Sequence, residues 1–204
     1  MLTRSLPLLA LLAVGCARCS NNPGPADAMR SDASSSGDSS GTPDASTATL
    51  TVTSAAFAEG SMIPSEHAYL NCGAGATNVS PPLAWSGAPA GTRSFALIMD
   101  DPDAPGATFT HWIAWNIGAG ISSFPQGVSP SVSSIVQGQN DFGEQGYGGP
   151  CPPAATGQHR YQFRVFALSV DSLSVPATSP VAALRAALEG KILAQGVLTG
   201  TYRQ

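Results

Sequence analysis

SFALIMDDPDAP, Ser94 to Pro105, decides the fold. Read as a strand, its alternate residues Phe95, Leu97, Met99 and Asp101 share one face, because successive side chains point to opposite sides. Asp101 therefore closes an otherwise apolar, buried face. The pattern recurs in FTHWIAWNI, Phe109 to Ile117, where His111 shares parity with Phe109, Ile113, Trp115 and Ile117, and Thr110, Trp112, Ala114 and Asn116 form a more mixed face. It recurs again in HRYQFRVFA, where His159 and Tyr161 open a face continued by Phe163, Val165 and Ala167. Three strands thus each end in a polar group aimed inward. Burying such groups is costly unless they satisfy one another or bind something.

Further out, Leu50 to Thr53, Arg93 to Asp100, Phe109 to Ile117, Arg160 to Val170 and Lys191 to Tyr202 are short extended segments bounded by Gly, Pro, Asn or Ser. The chain is expected to be mainly β. One helix is expected near the C-terminus, with Ser179 as cap, Pro180 at the first helical position, Val181, Leu184 and Leu188 on one face, and Gly190 at its end. A single amphipathic helix packs on a sheet rather than in a bundle.

Composition removes several function classes. Nine Lys and Arg oppose 13 Asp and Glu, and the six basic residues from Arg93 onward stand singly, so no clustered surface for nucleic acid is present. Beyond the first 15 residues no apolar run approaches the roughly 20 residues that a membrane helix needs. Within residues 49–204, Asp100, Asp101 and Asp103 concentrate acidic charge in a turn stiffened by Pro102 and Pro105. An ordinary turn would need only the same residues. GYGGPCPPAATGQHRY, Gly146 to Tyr161, combines close backbone approach with stiffness ahead of His159 and Tyr161. It is no phosphate loop, having neither Lys-Ser nor Lys-Thr after the glycines.

DPDAP from Asp101, the pair His111 and Trp112, and GYGGPCPP running to His159-Arg160-Tyr161 resemble the phosphatidylethanolamine-binding proteins, most closely their bacterial Raf-kinase-inhibitor-like branch. NVSPPLAWSGAPAGTRSFAL, Asn78 to Leu97, and LAQGVLTGTYR add to the likeness, which runs from about Leu50 to the end. The resemblance implies two antiparallel sheets with a few peripheral helices and a small pocket for phosphate or a phosphorylated headgroup. It places Asp101, His111, Pro153, His159 and Tyr161 in that pocket, with Asp103 and Trp112 shaping it and Tyr147 and Gly149 near its mouth. Members also modulate partner enzymes, and no particular partner carries over to this chain.

Two histidine donors and a tyrosine hydroxyl suit phosphate oxygens, and a protonated His adds attraction, which predicts tighter binding below roughly pH 6.5. Asp101 is expected to orient one imidazole or to accept a headgroup ammonium or hydroxyl. Neither a cofactor nor a metal is expected, and no catalytic residue is assigned. The competing readings are a metal-assisted phosphoester hydrolase, for which no nucleophile-elbow or metal motif is present, and an interaction module that captures an unidentified protein.

Residues 1–15 read as an export signal, with Arg4 ahead of the apolar stretch Leu6 to Val14 and small residues before Cys16. A Cys in that position resembles the bacterial lipobox, although Ala13 stands where Leu is preferred; acylation of Cys16 is expected, with simple cleavage as the alternative. Residues 16–48 are Ser-, Asp-, Gly- and Pro-rich and are expected to be a disordered tether, or else an unstructured leader without a role. Residues 49–204 form the folded domain. The whole places an exported domain in the cell envelope, meeting a membrane only through its lipid. Cys72 and Cys151 are the only cysteines inside the domain and are expected to pair, with two separate thiols as the alternative. Cys19 is then the odd thiol.

Overall fold

All five expected strands form, with no end displaced by more than two residues. The computed structural model describes residues 48–128 and 134–204. The export signal, Cys16, Cys19 and nearly all of the tether lie outside the described residues. In chain order the strands are β1 (Ala48–Thr49), β2 (Thr51–Thr53), β3 (Leu83–Ser86), β4 (Ser94–Asp101), β5 (Phe109–Gly118), β6 (Ser123–Phe124), β7 (Val136–Gln137), β8 (His159–Leu168) and β9 (Ile192–Tyr202), with helix α1 (Val181–Leu188) between the last two. Short 3-10 turns occupy Ser65–His67 and Ala154–Thr156.

A six-stranded sheet runs in the order β1-β9-β8-β4-β5-β7, and a three-stranded antiparallel sheet in the order β2-β3-β6. The large sheet is antiparallel except at its edge, where β1 pairs with β9 in parallel. Both of its faces are covered. On one side Val52, Leu83, Trp85 and Phe124 of the small sheet share a core with Phe95, Leu97, Met99, Phe163 and Val165. On the other, Leu184 and Leu188 of α1 and Leu173 pack on Ala96, Ile98, Ile113, Trp115, Phe166 and Leu168. Double coverage is why every residue of β4 is buried, as in any strand with no solvent-facing side.

The strand faces of β5 depart from simple alternation. Met99 pairs with Trp112 and Asp100 with Thr110, so His111 is an extra residue between them. A second irregularity, between Phe95 and Leu97, coincides with Asn116 at φ 57°. Each such bulge flips the parity beyond it. Ile113 and Trp115, expected on the face of His111, therefore turn to α1, and Trp112 and Ala114 join the core between the sheets.

The helix starts one residue later than expected. Pro180 is extended at ψ 156° and precedes it, and Ser179 makes no side-chain cap. Gly190 follows the end at φ 69°, as a helix stop should. Cys72 and Cys151 are bonded, with Cα atoms 5.3 Å apart across 79 positions of sequence, so the paired alternative describes the fold.

Candidate functional site

The parity argument brings its inward groups together. Asp101 at the end of β4, His111 at the bulge of β5 and His159 at the start of β8 line one cavity of about 200 Å³, walled also by Phe109, Phe142 and Pro153. A bulge beside a site is a common way to re-aim one side chain. Here it lets His111 point to the same side as Trp112, and its ring meets Tyr161 edge-on, with centroids 5.2 Å apart at 84°.

Each polar group has a distinct state. Asp101 accepts the backbone N–H of Asp103 on Oδ1 at 2.9 Å and the Nδ1–H of His159 on Oδ2 at 2.7 Å. Its charge is thereby committed to orienting the loop and one imidazole, the first of the two roles expected for it. His159 Nε2 lies 2.7 Å from Thr156 Oγ1, which in turn lies 2.7 Å from the carbonyl of Pro153. A hydroxyl has one hydrogen to give. If Thr156 gives it to Pro153, Nε2 donates to Thr156; if it turns to Nε2, the neutral ring accepts.

His111 is held differently. Its Nδ1–H is shared by the carbonyls of Gly148 at 2.8 Å and Gly149 at 3.1 Å, which fixes the tautomer and leaves Nε2 without a partner among the described residues. Burial pushes the His111 pKa below the usual 6.5, against the opposing pull of those carbonyls and of Asp101. The neutral ring is favoured, so the binding gain expected from a protonated His below pH 6.5 does not come from His111 in the unliganded site. Tyr161 is fully buried, and its hydroxyl lies beside the Asp101 carboxylate and the Cys151 backbone without a well-formed hydrogen bond among the described residues. Burial, followed by the nearby Asp101 carboxylate, raises its pKa and keeps the proton on the oxygen.

Five expected residues do not reach the cavity wall: Tyr161, which lies enclosed behind it, and four others. Asp103 turns outward to Arg160, accepting from Nε at 2.9 Å, Nη2 at 2.7 Å and the backbone N–H at 2.9 Å. That pairing lowers its pKa to about 2. Trp112 faces the core and donates from Nε1 to Gln137 at 2.7 Å. Tyr147 is buried, donates to the carbonyl of His67 at 2.7 Å and stacks edge-on with Trp112. Gly149 supports from behind: its carbonyl holds His111, its N–H donates to Asn78 Oδ1 at 2.7 Å, and a Cβ there would meet the His67 carbonyl oxygen at 2.2 Å. Sequence reasoning missed Phe142 and Thr156. Phe142 sits in a turn that Asn140 Oδ1 closes by accepting its N–H at 3.0 Å, and the stretch NDFG was its only signal. Thr156 ends the 3-10 turn three residues before His159, and Gly157 at φ 81° turns the chain between them into β8.

The family model of the phosphatidylethanolamine-binding proteins matches residues 53–203. The chain belongs to the phosphatidylethanolamine-binding protein family. A UPF0098 protein of Aquifex aeolicus is 50% identical over 131 residues, covering 62% of this chain and 75% of that protein. YbcL of Escherichia coli is 37% identical over 164 residues, 78% of this chain and 90% of YbcL. The crystal structure of YbcL, described as a new member of the mammalian family, superposes with a TM-score of 0.72 at 36% identity, covering 77% of this chain and 99% of that one. Lipoprotein LppC of Mycobacterium tuberculosis is 40% identical over 153 residues, 75% of this chain and 72% of LppC. The mainly β, two-sheet fold with its helix is that of the family, and a binding protein is the broad functional class that follows.

Proposed function

We propose that the cavity takes one protonated oxyanion, inorganic phosphate or the phosphate of a headgroup, between the Tyr161 hydroxyl and His111 Nε2. The observation that carries this reading is a pair of neighbouring groups: the Tyr161 O–H, enclosed just behind the wall, and His111 Nε2, a ring nitrogen of a wall residue without a donor among the described residues. A P–OH group answers the second and an anionic oxygen the first. The hydrogen bonds that Asp101 accepts on both oxygens offset part of its repulsion of such a guest. The cavity, at about 200 Å³, is smaller than the ~300–1,000 Å³ typical of drug-sized ligands, so a headgroup fits and acyl chains stay outside.

Sulfate is the discriminating control, since at neutral pH it has the size and charge of hydrogen phosphate but no proton to give His111. Calorimetric titration of the full chain should show phosphate binding and sulfate binding at least tenfold weaker. Phosphoethanolamine should weaken as the pH rises past ~6, where a phosphomonoester loses its second proton. Tyr161→Phe removes one hydrogen bond to a charged group, worth about 1.5–3 kcal/mol, or roughly ten- to a hundredfold in affinity. Equal affinity for sulfate and phosphate, or an unchanged Tyr161→Phe protein, would refute the reading.

A hydrolytic role has one observation in its favour: Thr156 Oγ1, His159 and Asp101 form a nucleophile, base and orienting-acid array at 2.7 Å and 2.7 Å. The Pro153 carbonyl, which already accepts the Thr156 backbone N–H that closes the 3-10 turn, competes for the same hydroxyl. Binding without turnover is therefore the function proposed. Mass-spectrometric detection of Thr156 modified by a fluorophosphonate would favour hydrolysis instead. We also propose that Cys16 carries the lipid that holds the domain at an envelope membrane, a reading supported by the relative described as a lipoprotein. Palmitate labelling lost in Cys16→Ala tests it. Modulation of a partner enzyme remains a proposal drawn from the family resemblance, tested by capture of a stoichiometric partner that His111→Ala releases.

A further inference from the structure

The same three strands that supply the cavity supply a second one on the opposite face of the sheet. Asp100, Thr110 and Gln162 are each adjacent in sequence to Asp101, His111 and Tyr161, and alternation sends them to the α1 side. There, with Thr108, Arg164 and Arg185, they line a cavity of about 320 Å³. Arg185, from α1, lays Nη2 2.8 Å from both oxygens of the buried Asp100, and Thr110 Oγ1 donates to Asp100 Oδ1 at 2.9 Å. That carboxylate is neutralised and saturated. Arg164 is not: Nη2 donates to Gln162 Oε1 at 2.6 Å, its Nε is buried without a partner, and it forms no ion pair among the described residues. Two arginines against one aspartate leave the pocket with one net positive charge, centred on Arg164.

Arg164 Nε is itself enclosed by protein, but a half-buried guanidinium that lines a cavity with no anion beside it among the described residues leaves a charge uncompensated, and a missing ion is one of the few explanations available. We infer that this second cavity is an anion site in its own right, in which Arg164 receives a carboxylate or phosphate group of a small ligand. A guanidinium presents paired N–H groups matched to two oxygens of such a group. Gln162 orients the fork through its Oε1 and keeps its amide N–H groups for the guest, and the exposed hydroxyl of Thr108 stands at the rim. Recognition here needs no proton from the ligand, unlike the proposal for the first cavity, so sulfate and dicarboxylates are acceptable guests.

The test is NMR observation of the arginine Nε–Hε resonances of the full chain during separate titrations with sulfate and succinate. The Arg164 signal is expected to shift saturably, with a dissociation constant near or below about 1 mM, and to do so equally in His111→Ala, which alters only the first cavity. Arg164→Lys, followed through the Nε–Hε signal of Arg185 on the same cavity wall, keeps the charge but loses the fork and should weaken binding at least tenfold. Thr108→Val, on an exposed loop, should weaken it measurably in a folded protein. A succinate response without a sulfate response selects a carboxylate ligand, and the converse a tetrahedral oxyanion; either supports the site. Failure of the Arg164 signal to move with both ions at about 10 mM, or an Arg164→Lys protein that binds as tightly as the original, would overturn it. Because the readout is Arg164 itself, its failure is separable from failure of phosphate to enter the first cavity.

Discussion

Replacing both Cys72 and Cys151 by Ala should cost the domain about 4.5 kcal/mol of stability on the loop-entropy account. The bridge spans 79 positions, and an entropy of −2.1 − 1.5R ln n is about −15 cal/mol/K for that loop, multiplied by 298 K. The folded state should change little, because neighbouring hydrogen bonds hold the same segments: Tyr202 donates to the Cys72 carbonyl at 2.8 Å, and the Tyr69 N–H to the Pro150 carbonyl at 3.0 Å. The loss therefore belongs to an unfolded chain that gains freedom. Against a typical total of about 5–15 kcal/mol it is a third or more of the whole. Urea denaturation followed by the fluorescence of the buried Trp85, Trp112 and Trp115 measures it, and a steeper denaturant dependence should accompany it as the unbridged chain exposes more surface. A loss below about 1 kcal/mol with an unchanged slope would refute the reasoning, since it would mean that the unfolded chain is equally compact without the bridge.

Three further outcomes are expected. His111 has a folded pKa below its ordinary 6.5, so the unfolded state binds the extra proton first; its contribution is fully present above pH 6.5 and is lost as the pH falls through that value toward the folded pKa. His111→Gln should flatten this limb of a stability-pH curve, and an unaltered limb would count against burial as the cause. Asp103, with a pKa of about 2 against an ordinary 3.8, contributes above pH 3.8 and loses its contribution as the pH falls through 2. The pair is exposed and screened, so Asp103→Asn should alter acid unfolding only slightly; a loss as large as that of the disulfide would show that the DPDAP turn depends on it. Gly149→Ala drives a Cβ into the backbone of His67, Ala68 and Tyr69. Overpacking of that kind costs about 1–3 kcal/mol, and because Gly149 also holds His111, the His111 NMR signals should move with the loss of stability.

The parts of the site legible in the sequence were those that alternation alone controls. Asp101, His159 and Tyr161 lie at the ends of regular strands, so counting by twos located them. His111 points inward for a reason other than parity: Ile113 and Trp115, its expected companions, face the helix, and the bulge opposite Asp100 is what turns the ring toward Tyr161. A bulge is fixed by pairing with another strand and leaves no periodic mark of its own. Loop residues were harder still. Asp103 and Tyr147 carry functional-looking groups in stretches dense with Gly and Pro, and only their partners, Arg160 and the His67 carbonyl, reveal them as braces. Those partners lie 57 and 80 positions away.

What the sequence reading lacked most was the second face of the sheet. With Phe95, Leu97 and Met99 assigned inward, Ala96 and Ile98 were left unassigned, although a run of five apolar residues is what a strand covered on both sides requires. Once α1 covers that side, any polar residue placed there is under the same obligation to be paired as Asp101 is on the first. Asp100 meets it through Arg185 and Thr110, and Gln162 through Arg164. Arg164 does not, because its Nε has no partner. The same accounting includes Tyr161 on the opposite face, together with His67 Nε2 and the indole N–H groups of Trp85 and Trp115. One unpaired buried donor beside each cavity is what two anion sites would leave in an unliganded protein, and two faces of one sheet would then be used for binding with the same strand ends.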